Sequence, residues 1–232
     1  MLSDLFTAHQ DTPMAMNFEQ ARTNMVENQV RPWEVLDMRV LDVLSSVPRE
    51  DFVDPAHRNL AFADLGLPLG HGEVMMKPVV EGRVLQALEL QPEHRVLEIG
   101  TGAGFLTACL ARLSAHVTSV DIHPDFTSRA ADRLSRAGIT NVTLETAEAV
   151  LAWQPNGLFD AVVVTGATAE LPSRFIHWVK PGGRLFAILG QSPAQSAVLV
   201  THEGEGRQRS ESLFETDLPY LAHAAPSRQF VF

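Results

Sequence analysis

With 232 residues, 45% of them hydrophobic and 20% charged, the chain has the composition and length of one α/β domain with an elaboration, which excludes a disordered or fibrous protein. A formal net charge of −10, with 18 Lys and Arg scattered among 28 Asp and Glu, gives no basic footprint for nucleic acid. No apolar run reaches membrane-spanning length, the segment from Met1 to Asp4 lacks the basic start of a secretory signal, and Cys109 is the only cysteine. Neither membrane association nor a disulfide is therefore expected, and a reducing cytoplasm is.

Residues 1–16 are polar, aperiodic and interrupted by Pro13, so they are expected to form a flexible leader. From Asn17, a candidate N-cap, Phe18, Ala21, Met25 and Val26 share one face of a helix that Arg31-Pro32 interrupts. A second helix is predicted from Pro32 or Trp33 to Ser45, with Leu36, Val40, Leu41 and Leu44 at helical spacing. Residues 51–64 read as irregular, with a short helical turn after Pro55. Residues 67–78 hold two glycines and two prolines around His71, Glu73, Val74, Met75, Met76 and Lys77, and are expected to form a loop with fixed bends. That loop leads into a helix at Pro78 with Val80, Val84, Leu85 and Leu88 on its apolar face.

Strands are predicted at 95–99, 116–121, 142–146, 159–165 and 183–189, and helices at 103–113, 124–137 and 171–179. Such alternation implies a parallel sheet covered on both faces. The segments 197–201 and 209–215 then read as a hairpin that finishes the sheet antiparallel.

The most informative stretch is Val96-Leu97-Glu98-Ile99-Gly100-Thr101-Gly102-Ala103-Gly104, a buried strand turning through three alternate glycines into a helix. Such a turn lets a ligand press against the main chain. A dinucleotide fingerprint would space its glycines G-x-G-x-x-G, with an acid about 20 residues on for the ribose. Here the spacing is G-x-G-x-G; Asp121 supplies the distant acid, while Glu98 would repel a pyrophosphate and suits a ligand with cationic groups. The ends of the predicted strands bring Glu98, Gly100, Thr101, Gly102, Gly104, Asp121, Ile122, Ala147, Glu148 and Thr165 to one crevice. Glu148 either holds an adenine amino group or is a solvated loop acid. No metal is expected.

This motif resembles the first motif of class I S-adenosylmethionine-dependent methyltransferases. Val47-Pro48-Arg49-Glu50-Asp51-Phe52-Val53, Ala61-Phe62-Ala63-Asp64, Leu67-Pro68-Leu69-Gly70, Phe159 to Ala167 and Lys180 to Leu185 resemble the protein-L-isoaspartate O-methyltransferase family over roughly 17–190. The resemblance implies a three-layer Rossmann-like fold, S-adenosylmethionine bound by Glu98, the glycines, Asp121 and the 146–148 region, and a 70–78 loop facing the methyl acceptor. The expected organisation is the 1–16 leader, N-terminal helices and substrate loop over 17–78, and a donor-binding core over 79–232, the last two forming one compact domain.

Two places depart from the family. Its Gln- or Ala-Thr-Ile-Ser signature is replaced by Glu73-Val74-Met75-Met76, without a hydroxyl, and its Gly-Asp-Gly by Ala147-Glu148-Ala149. The acceptor is therefore either an isoaspartyl protein or peptide, or a small, more apolar molecule. His71 and Glu73 are the ionisable candidates for a hydroxyl acceptor that needs deprotonation, although His71 between two glycines could instead bond within the loop. Lys77 either binds an acidic acceptor group or covers the surface. A donor-binding sensor or partner subunit without turnover is the alternative function, a nicotinamide dehydrogenase a third, and the oligomeric state is left open.

Overall fold

The computed structural model describes residues 16–227. Apart from Met16, the expected leader lies outside the described residues. The first element among the described residues is α1 (Phe18–Met25), capped by Asn17, whose side chain accepts from the Gln20 N–H. The helix widens into a π turn over Val26–Val30 and tightens at Arg31–Trp33, where proline removes a backbone donor. The second helix, α2 (Met38–Ser46), starts later than predicted because Asp37 caps it, and Leu36, expected on its apolar face, precedes it and is exposed. A tight helical turn follows Pro55, as read from the sequence.

The predicted loop over 67–78 is ordered as a hairpin, β1 (Leu67–Gly70) paired antiparallel with β2 (Glu73–Met75). The glycines and prolines had suggested bends alone; alternate side chains of the hairpin in fact face the body of the protein, with Leu67 and Met75 buried. After it come α3 (Pro78–Leu88), β3 (Arg95–Ile99), α4 (Phe105–Leu113), β4 (His116–Asp121), α5 (Pro124–Arg136), β5 (Val142–Thr146) and β6 (Phe159–Thr168). The chain continues through α6 (Ser173–Ile176), β7 (Val179–Gln191), β8 (Ala194–Gly204) and β9 (Arg207–Thr216). The helix expected over 171–179 is only α6, because β7 begins at Val179 and claims its end. The last strands are longer than predicted, since their pairing continues through polar positions that sequence periodicity does not mark.

Seven strands form one sheet in the order β5-β4-β3-β6-β7-β8-β9, with β8 and β9 antiparallel to their neighbours. Alternation along the central strands sends Val96, Ala161, Val163 and Phe186 to one core and Leu97, Val162, Val164 and Leu185 to the other. The first core is shared with α1 to α4 and the hairpin, the second with the region of Phe175 and Trp178. Since β3 lies between β4 and β6, the chain leaves the sheet centre in both directions there, and the crevice opens at the carboxyl end of β3.

Candidate functional site

The turn from β3 into α4 is built on Gly100, whose φ is +100°, and a Cβ there would collide with the Thr165 hydroxyl. Thr165 Oγ1 lies 2.9 Å from the Ile99 carbonyl oxygen and 2.7 Å from that of Gly100, joining β6 to the turn. Gly102 and Gly104 also have positive φ, and Gly104 is the N-cap of α4. A Cβ at Gly104 would press on Ala130 and one at Gly102 on Leu69, so close packing as well as backbone conformation reserves the turn for glycine, and Gly100 and Gly102 line both cavities described below.

Glu98 sits on the same face of β3 as Val96, and is fully buried against α4 and β4. Thr107 of α4 and Ser119 of β4 both donate to its Oε2, at 2.5 and 2.6 Å, and Ser119 lies 2.6 Å from the Thr101 hydroxyl. Its other oxygen, Oε1, is buried without a partner. Burial pushes the carboxyl up to about 8, against the pull of the two hydroxyls. Thr107 and Ser119 are missed by the sequence reading. The signal for Ser119 is the parallel register that pairs it with Glu98, and for Thr107 a hydroxyl on an otherwise apolar helix face.

Two adjoining cavities meet at this turn. The smaller is walled by Glu98, Thr101 and the glycines on one side and by Val74, Met75 and Met76 on the other. The larger lies between Asp121, Ile122, Ala147, Glu148 and Thr165, and is closed by Glu73 from the hairpin. Asp121 is nearly buried; its Oδ2 accepts from the Gly102 N–H and its Oδ1 from the His123 N–H, both at 2.9 Å, which leaves lone pairs for a ligand hydroxyl. Leu221 and Ala222 complete the wall, because the segment after β9 turns back and Leu221 N–H donates to the Ala167 carbonyl. No strand or motif signal marks that return.

Glu148, His71 and Lys77 are the residues for which the sequence left alternatives open. Glu148 lines the larger cavity, and its carboxylate accepts from the backbone N–H groups of Val150, Leu151 and Ala152, so it caps that turn and is not a loosely solvated loop acid. His71 is exposed at the hairpin tip and lies 3.0 Å from Asp125 Oδ1, outside both cavity walls. Lys77 precedes α3 as an exposed residue, also outside both walls.

Beneath the hairpin, Arg49 is completely buried. It pairs with Glu81 of α3, donates to the Ala61 and Met76 carbonyls at 2.7 Å, and lies over the Phe105 ring. Burial raises the Glu81 carboxyl to about 7, opposed by the guanidinium. This network fixes the backbone of Met76 beside the glycine turn.

The site fits the donor inferred from the sequence. The unpartnered Glu98 oxygen suits an ammonium group, and Gly100 and Gly102 present main chain to both cavities. Adenine needs apolar walls, which Ile122, Ala147 and Leu221 provide.

Comparisons with known proteins agree. Residues 20–218 match the family described as Protein-L-isoaspartate(D-aspartate) O-methyltransferase (PCMT). A protein-L-isoaspartate O-methyltransferase 1 from Syntrophobacter fumaroxidans is 36% identical over 195 residues, covering 84% of this chain and 91% of that protein. One from Methanoculleus marisnigri is 39% identical over 184 residues, covering 79% and 84%. Among solved structures, a Plasmodium falciparum protein of the same description, in complex with S-adenosyl-L-homocysteine, superposes with a TM-score of 0.74 at 19% identity, covering 86% of this chain and 97% of that one, which shows the shared fold. No helix among the described residues is long and apolar enough to cross a membrane. By its sequence over 20–218 and its fold, the chain belongs to the protein-L-isoaspartate O-methyltransferase family and is an S-adenosylmethionine-dependent methyltransferase of the class I fold.

Proposed function

We propose that the chain methylates an oxygen nucleophile on a small, largely apolar acceptor rather than favouring isoaspartyl peptides, the substrates named for its relatives. The observation that carries this reading is the wall formed by Val74, Met75 and Met76 on the hairpin side of the smaller cavity, three side chains without a hydroxyl, while the Thr101 and Thr165 hydroxyls opposite are held by Ser119 and by backbone carbonyls. Thioether and aliphatic groups provide adaptable packing but no hydrogen bond for a peptide carboxylate. Glu73 adds to it. It lies with Asp121 on the larger cavity, and its carboxyl is raised, first by burial and then by the Asp121 charge. Two acids at this mouth disfavour an anionic acceptor.

When bound, S-adenosylmethionine supplies an electrophilic methyl group on a sulfonium. Glu98 receives the cationic end of the donor, the Gly100 to Gly104 turn lets it approach the main chain, and Asp121 holds its ribose. The hairpin excludes water and aligns the acceptor, and alignment is the main requirement for an in-line displacement. Glu73, half-buried with a raised carboxyl, accepts the acceptor's hydroxyl proton where one must be removed. His71 is not assigned this role, because it faces Asp125. A lone buried cysteine and the lack of any other suits work in a reducing cytoplasm.

The test is donor binding by calorimetry, followed by methyl transfer to isoaspartyl peptide and to a panel of phenols, alcohols and carboxylic acids. Turnover is expected to be best on a small apolar acceptor. Isoaspartyl peptide as the best acceptor would refute the reading, and tight donor binding with no transfer to any acceptor would favour a donor sensor.

A further inference from the structure

We propose that His71, His123 and Asp125 form a binding site for a divalent transition metal of the zinc class, which staples the β1–β2 hairpin to the start of α5. One ring nitrogen from each histidine and one Asp125 oxygen all lie within 4.8 Å of one another. His71 Nε2 and Asp125 Oδ1 are 3.0 Å apart, near the roughly 3.3 Å that separates two ligands of a tetrahedral zinc with bonds of about 2.0 Å. Two imidazoles and a carboxylate are a borderline donor set that suits zinc, with water in the fourth position.

The surroundings support the assignment. Arg129 donates to Asp125 Oδ2 at 2.7 Å, which orients the carboxylate and leaves Oδ1 for an ion. His71 has φ +55°, between Gly70 and Gly72 that also have positive φ, so an imidazole is kept in a turn whose backbone favours glycine. The His71 and His123 rings stack at 4.0 Å and 10°, so their lone pairs converge only after one ring turns. The His71 side chain, nearly half exposed at the hairpin tip, has solvent on one side into which the ring can turn. The net charge of −10 draws cations toward the chain, and Glu73 follows His71 by two residues.

The consequence is coupling to the donor cavity. His123 lines the larger cavity, as do Leu69 and Glu73 of the hairpin, so an ion joining His71 to His123 holds the mouth in place and slows donor exchange. The sequence suggested no metal because the three ligands come from two segments about 50 residues apart, with no local spacing pattern.

The experiment is Zn²⁺ calorimetry and Co²⁺ absorption on the full chain without donor, with stopped-flow release of S-adenosylhomocysteine with and without Zn²⁺. One ion per chain is expected, with affinity lowered at least about tenfold in His71→Ala, His123→Ala and Asp125→Asn. Zn²⁺ is also expected to slow S-adenosylhomocysteine release in the wild type but not in His71→Ala. The side chains of His71 and Asp125 are each nearly half exposed, and circular dichroism checks that all three variants fold. No saturable binding, or an affinity unchanged in both histidine variants, would overturn the proposal.

Discussion

Thr165 and Gly100 meet so closely that the threonine hydroxyl, 2.7 Å from the Gly100 carbonyl oxygen, occupies the space a side chain at position 100 would need. The contact joins β6 to the turn at the carboxyl end of β3, and so sets the floor of the cavities proposed to hold the donor. Gly100→Ala is expected to destabilise the protein by about 1–3 kcal/mol from backbone strain alone, before the collision is counted. Thermal melts and S-adenosylhomocysteine calorimetry measure this; a variant with wild-type melting and affinity would show that the turn is not so constrained.

Glu98 gives a pH dependence. Its carboxyl is raised to about 8 in the folded protein, so between the ordinary carboxylate range and pH 8 the folded chain holds a proton that the unfolded chain has lost. That contribution to stability is full below the unfolded value and is lost as pH rises through about 8. In the role proposed for Glu98, donor binding needs the ionised form opposite an ammonium whose own pKa is ordinarily about 8. Affinity is therefore expected to peak near pH 8, with proton release on binding at pH 7. Calorimetry in buffers of different ionisation enthalpy detects that release. Glu98→Gln is expected to bind the donor more weakly, to lose proton release, and to be at least as stable as wild type at pH 9.

Arg49 is a buried cation whose one carboxylate partner is Glu81. Arg49→Met is expected to cost about 3–5 kcal/mol, because it strands the Glu81 carboxyl and frees the Met76 and Ala61 carbonyls. The Arg49→Met, Glu81→Met double variant is expected to be less destabilised than the single one. Urea denaturation of the two variants compares them directly, and equal losses would mean that the pair acts only through the carbonyl bonds.

Asp121→Ala is expected to weaken donor binding twice over, through the lost ribose contact and through release of the Gly102 and His123 N–H groups that its carboxylate now holds. Asp121→Asn keeps an acceptor oxygen and is expected to be milder. Unchanged calorimetric affinity in the alanine variant would displace the ribose from this position.

The core of the fold was legible because its signals are local. Apolar runs marked β3, β4 and β6, and the alternate glycines located the turn between β3 and α4. What stayed hidden depends on residues far apart in sequence. Ser119 reaches Glu98 only through strand register, Leu221 reaches the cavity only by the return after β9, and Arg49 finds Glu81 across 32 positions. The hairpin reads as a loop in the sequence because Pro68, Gly70 and Gly72 obscure the alternation of its two short strands. Glu148 shows a different limit: its position at the crevice was predictable, while the direction of its carboxylate depends on backbone donors that only the folded turn presents.

The most direct test of the acceptor assignment restores the two hydroxyls. Val74→Thr combined with Met76→Ser returns hydrogen-bonding groups to the wall beside the glycine turn, and kcat/KM for an isoaspartyl peptide is compared with that of the wild type. A rise of at least about tenfold is expected, one well-made hydrogen bond to a charged group being worth that much, with S-adenosylhomocysteine affinity largely retained. A wild-type chain that already methylates the peptide better than any small acceptor, with no gain in the variant, would contradict the account.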